Sequence, residues 1–203
     1  MKRDKRRKLQ IGKKRFSLES QFFEALRYVK ESRNYIYLVI GIFLLSALIA
    51  FVYPSNFSFF DNLLRDLLDK TMGLSGFSLI SYIFTNNVLS AFLGLFFGIF
   101  LGLFSFINGM INGAVLGYVF AKIYAINGIN DFWRILPHGV FELPAIFIAL
   151  GLGVKLGFFI FSRNMKEEFF RRFYNSFLTF LLIIVPLLVL AAIIEGLLIT
   201  LLG

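Results

Sequence analysis

His138 and Glu142 stand four positions apart, a spacing that sets both on one face of a helix. An imidazole and a carboxylate together can exchange protons, bind a cation or hold a polar ligand. They open the stretch Leu136–Ala149, the start of a hydrophobic run to about Phe161 that is long enough to cross a bilayer. An ionisable side chain at membrane depth costs roughly 2.5–3.5 kcal/mol on insertion scales, so two on one face demand a reason. Glu195, near the end of the last apolar run, and Lys122, near the end of a middle one, pose the same question. At about 1.5 Å per residue, Glu142, Glu195 and Lys122 fall roughly 6–12 Å to the outer side of their spans' midpoints. Asn86, Asn87 and Asn112 add neutral donors and acceptors to these apolar stretches. The seven residues are read as one polar intramembrane cluster.

Two uses of such a cluster stand open. In the first, Lys122 neutralises one glutamate and the rest is interhelical glue, worth about 0.6–2 kcal/mol per contact. In the second, the cluster binds protons, cations or a polar ligand from the outer side. Catalysis fits poorly, because no nucleophile elbow, phosphate loop or HExxH pair accompanies the carboxylates. No catalytic residue, enzyme activity or cofactor is therefore expected. With one histidine and no cysteine in the chain, no metal centre is expected either. Lys155 lies toward the inner end of its span and is expected to snorkel to the surface.

The elements that must position these groups follow from composition. Of 203 residues, 58% are hydrophobic and 28 are Phe, with a mean hydropathy of +0.78. A soluble domain of this size has no interior large enough for so much apolar surface, so a polytopic, all-α membrane bundle is expected. The spans are read at about 35–53, 88–107, 110–126, 139–161 and 177–202, with Asn108-Gly109 turning the chain between the second and third. Residues 77–84 are too short to cross before Asn86-Asn87 and are left at the interface or as a re-entrant segment. Residues 1–16 form a basic cytoplasmic tail without aromatic or motif support for nucleic-acid binding. The first 33 residues are basic and polar, so an uncleaved anchor is expected in place of a signal peptide.

Two amphipathic helices complete the plan. Residues 17–34 repeat apolar side chains at helical spacing and are read as a cytoplasmic interfacial helix, lying in the membrane plane or packed on the cytoplasmic ends of the spans. Residues 58–72 do the same on the outer side, with Ser58 and Asp61 at capping-box spacing. They lie within an extracytoplasmic segment at 54–87 of a membrane bundle that runs from 35 to 203. Lys and Arg number sixteen in residues 1–33 and 162–176, against three in the other loops. That asymmetry places the N-terminus in the cytoplasm and, with five spans, the C-terminus outside a cell membrane. Gly94, Gly98 and Gly102 recur every four residues, and Gly113 and Gly117 repeat the pattern. Such stripes let helix backbones approach closely, within the chain or between copies, and a homo-oligomer, a dimer by preference, is expected.

Several of these short motifs occur together and in order. They are Asn86-Asn87 ahead of the glycine stripe, Asn112-Gly113 with Leu116-Gly117, Pro137-His138-Gly139 with Glu142-Leu143, and Ile194-Glu195-Gly196. In this the chain resembles the stage II sporulation protein M family of integral membrane proteins, from about Leu18 to its C-terminus. The resemblance implies a helical bundle. The family's namesake works during spore engulfment in a membrane complex with cell-wall-degrading partners, while many relatives occur in organisms that form no spores. A non-enzymatic scaffold or assembly component of the envelope is therefore the expected function, with membrane lipid and other membrane proteins as partners. A small transporter or channel using the His/Glu/Lys cluster is the alternative.

Overall fold

The computed structural model describes residues 17–128 and 136–202, and the basic tail at 1–16 lies outside them. Among the described residues all regular structure is helical. Helix α1 (Leu18–Glu31) is capped by Ser17, whose hydroxyl accepts from the Ser20 N–H at 3.2 Å. It passes through Ser32 into α2 (Arg33–Val52), which ends before Pro54, where a helix loses its donor. A 3-10 turn (Pro54–Phe57) leads to α3 (Phe60–Thr71). There follow α4 (Gly76–Phe96), α5 (Leu103–Asn127), α6 (Leu136–Gly157), α7 (Met165–Thr179) and α8 (Val185–Leu202). Five helical stretches are long and apolar enough to cross a membrane: Arg33–Val52, Gly76–Ile99, Leu103–Ile126, Gly139–Phe161 and Met165–Leu198.

The number of spans agrees with expectation, but two boundaries and one element do not. The second span begins at Gly76, so residues 77–84 are its first turns, and Asn86 and Asn87 lie in its middle. The chain reverses at Leu101 (φ 59) and Gly102 (φ 73), with Asn108-Gly109 inside α5. Asn-Gly is a strong turn signal, yet in an apolar helix its groups find partners: the Asn112 amide donates to the Asn108 carbonyl at 2.9 Å and to its side chain at 2.8 Å. Gly102 therefore serves the turn and is not a rung of a helical stripe. The amphipathic helices number three among the described residues, because α7 occupies what reads as a basic loop. Its phenylalanines hide the pattern among arginines. Ser58 makes no cap, and α3 starts at Phe60 without a side-chain capping bond.

The glycines at helix crossings are explained by main chain lying against main chain. A Cβ at Gly98 would run into the backbone of Gly153 in α6, and one at Gly157 into Gly98 and Gly102. Gly113 and Gly117 of α5 rest in the same way on the backbone of Phe43 and Ala47 in α2. Gly151 of α6 lies against Ile36 of α2. The Ser105 hydroxyl ties α5 to α4 by donating to the Gly94 carbonyl at 2.7 Å. The stripes are thus used inside the chain. Helix α6 is the centre: every residue from Ala149 to Gly157 is buried. Lipid tails are as apolar as leucine, so contacts of this closeness, not hydrophobicity, hold spans together.

This packing makes a graded prediction. Gly117→Ala sets a methyl against the Ala47 carbonyl, backbone on both sides, and should cost about 1–3 kcal/mol of stability. Gly41→Ala, with open space at its Cβ position, should be neutral or stabilise by about 0.5–1 kcal/mol. Thermal melts in detergent check both; equal effects would refute the backbone contact.

Candidate functional site

Helix α6 begins at Leu136 with Pro137 in its first turn, where a missing N–H costs nothing. Pro144 lies inside the helix and has no N–H to give the Val140 carbonyl, so an acceptor is left free in the turn that carries Glu142. The small faces of α6 and α8, with Ala145, Ala149, Ala191 and Ala192 all buried, bring these helices and α4 together. There the Asn87 side chain of α4, only 9% exposed, comes within hydrogen-bonding reach of the Glu142 carboxylate. Glu195 of α8 is close enough to act on Glu142 electrostatically. Three of the seven residues expected to cluster therefore do so: Asn87, Glu142 and Glu195. His138 shares the helix with Glu142, but its side chain lies outside what the structure describes.

Lys122 is not at this site. It reaches the other way, to Asp61 at the start of α3, at 3.2 Å. Asp61 also accepts from the Tyr118 hydroxyl at 2.7 Å. The Tyr118 hydrogen bond, more than Lys122, holds the Asp61 carboxyl below its ordinary range. Depth alone placed Lys122 beside the glutamates; helix azimuth, set by Gly113 and Gly117 against α2, turns it to α3. Asn86 is exposed and Asn112 is satisfied by Asn108, so neither joins the pair.

A second polar assembly, at the end of the bundle that carries α1 and α7, was not anticipated. Lys155 does not snorkel: it is 7% exposed, with Nζ 3.8 Å above the centre of the Tyr28 ring and donating to the Ser32 hydroxyl at 2.9 Å. Ser32 in turn donates to the Tyr28 carbonyl at 2.6 Å. Arg172 of α7 donates to the Lys155 carbonyl at 2.6 Å and to Glu168 at 2.8 Å. Burial, more than any neighbour, pushes the Tyr28 hydroxyl up to about 12, which keeps it a neutral ring beneath the ammonium. The signal available was Tyr28 itself, a ring with a polar tip on the apolar face of α1, and a lysine one turn from the end of its helix.

A family model described as Stage II sporulation protein M matches residues 24–198. The chain belongs to that family. No curated protein and no solved structure matches it. Within this Stage II sporulation protein M relative, the matched region takes in the carboxylate pair, the Asp61 clasp and the Lys155 knot, and leaves the basic tail outside.

The clasp predicts a pH response of definite sign. A carboxyl held below its ordinary value contributes above that value and loses its contribution as pH falls through the lowered one. Protection against hydrogen exchange in residues 60–71, taken relative to the intrinsic rate at each pH, should therefore be high at neutral pH and fall in strong acid. Asp61→Ala should show the low protection already at pH 7, and equal protection in variant and parent would remove the clasp.

Proposed function

We propose that the protein is a non-enzymatic component of the cell envelope that works by assembling with other membrane proteins, with α1 and α7 cytoplasmic and α3 outside. The observation that carries this reading is how α3 is presented. Its contacts with the bundle come from Phe60, Asp61 and Leu64, while Leu63 and Leu68 on the same helix, and Met72 at its C-cap, stay exposed. An amphipathic helix clasped at one end, with exposed leucines on both margins of its buried face, suits the capture of a partner helix. The family supports an envelope setting. A photo-crosslinking residue at Leu68, in membranes of the native host, should give one discrete protein adduct. Adducts to lipid alone would defeat the proposal. In the same cysteine-free chain, a cysteine at Ser55 should react with an impermeant reagent from outside and one at Ser17 should not; the reverse would overturn the orientation.

A second reading is favoured by the removal of Lys122 from the carboxylates. Two mutually close acids with an amide beside them, and no lysine or arginine acting on either among the described residues, suit the uptake of a proton or cation in the outer half of the membrane. Under this reading Glu142→Gln keeps the fold but abolishes proton or cation flux into proteoliposomes. Under the assembly reading the parent shows no flux. A double-mutant cycle of Glu142→Gln with Glu195→Gln should give a coupling of about 0.5–3 kcal/mol in either case. Zero coupling would mean the acids do not form a pair.

A further inference from the structure

We propose that the groove between α1 and α7 binds the headgroup of an aminophospholipid, its ammonium against Glu24 and Glu31 and its phosphate against Arg27. The inference rests on the membrane placement of the bundle and is independent of what α3 captures. The groove encloses about 590 Å³ between the two helices, beside the Lys155 knot. Glu24, Arg27, Tyr28 and Glu31 line it from α1 at positions that share one helical face. Spacings of three and four ordinarily let such side chains pair, yet Glu24, Arg27 and Glu31 form no ion pair with another described residue. Arg171 on the opposite wall differs, being held by Glu168 at 2.9 Å. The groove thus presents Glu24, Arg27 and Glu31 without a direct ion pair among the described residues, Glu31 acting at longer range on Lys155 and Arg171.

That charge pattern selects the ligand. A purely anionic headgroup would meet both carboxylates as well as the two arginines, one of which, Arg171, is already held by Glu168, so the mixed lining suits a zwitterion. A quaternary choline carries no N–H to donate, whereas a primary ammonium has three donors and can bond both glutamates. The walls add exposed aromatic rings from Phe23 and Tyr174, which attract a cation further, while the Tyr28 ring is already engaged by Lys155. The rim sets the source. Phe23 and Tyr174 are 59% and 48% exposed and continue into exposed Leu18, Phe22 and Leu26 on α1 and Phe170, Phe173 and Phe177 on α7. Apolar side chains of this kind beside a headgroup groove, at the end of a membrane bundle, place acyl chains against the rim and the polar head inside.

The full chain, released from detergent in native mass spectrometry and titrated with phosphatidylethanolamine, phosphatidylcholine and phosphatidylglycerol of matched chains, tests this. Phosphatidylethanolamine should be retained best. Glu24→Gln with Glu31→Gln should lower its retention roughly tenfold, two weak charged contacts being lost, and leave phosphatidylcholine unaffected. Arg27→Gln should weaken it severalfold. All three side chains are exposed, so melting temperatures should hold. Equal retention of the three lipids, a preference for phosphatidylglycerol, or retention unaffected by the glutamate pair would overturn the site. Soluble phosphoethanolamine should not displace the lipid at equal concentration. If it does, the groove serves a soluble amine and the lipid assignment falls.

Discussion

The structure depends on the absence of a side chain at the crossings of α4 with α6 and of α5 with α2. Between apolar helices in an apolar solvent there is little to gain from burial, and attraction comes from close atomic contact over a sufficient length. Gly98, Gly153 and Gly157 bring two main chains together there, and Gly113 and Gly117 repeat the device against Phe43 and Ala47. Once these pairs are set, each helix has a fixed azimuth, and the polar side chains point where that azimuth sends them. Glu142 then faces Asn87 and Lys122 faces Asp61. The polar contacts are the result of glycine packing more than its cause.

The same argument explains what could be read in advance. An all-helical chain with five apolar stretches follows from hydropathy, which sums over twenty residues and tolerates local error. The pairing of Asn87, Glu142 and Glu195 was also legible, because small residues flank both acids and mark the inward face. Span limits near 76–110 were not, since Asn86-Asn87 and Asn108-Gly109 carry the chemistry of turns while lying within helices. Asn108 accepts from Asn112 one turn on, and Asn87 reaches Glu142 across a helix contact, which no local pattern reveals. Lys122 and Lys155 show the other limit. Depth along a helix can be counted from sequence; rotation about it is decided by partners far along the chain.

Proline shows how the fold accommodates its own irregularities. Pro144 frees a carbonyl beside Glu142, in the least buried part of α6. Pro186, the second residue of α8, comes just after a π-helical turn at Phe180–Ile184, so the helix is already rewound where the ring would meet the preceding turn. Both interruptions fall on helices that carry a glutamate.

The brace between α1 and α7 bears on biogenesis. Tyr28 and Arg172 are separated by 144 positions, and Lys155, between them, joins neither until its own helix has been inserted. The ribosome must therefore deliver the first seven helices before that end of the bundle can close. Until then the Lys155 ammonium has to remain hydrated near the headgroups. A nascent chain arrested before α7 would hold its spans in the bilayer with α1 still undocked, and closure would be among the last steps of its synthesis.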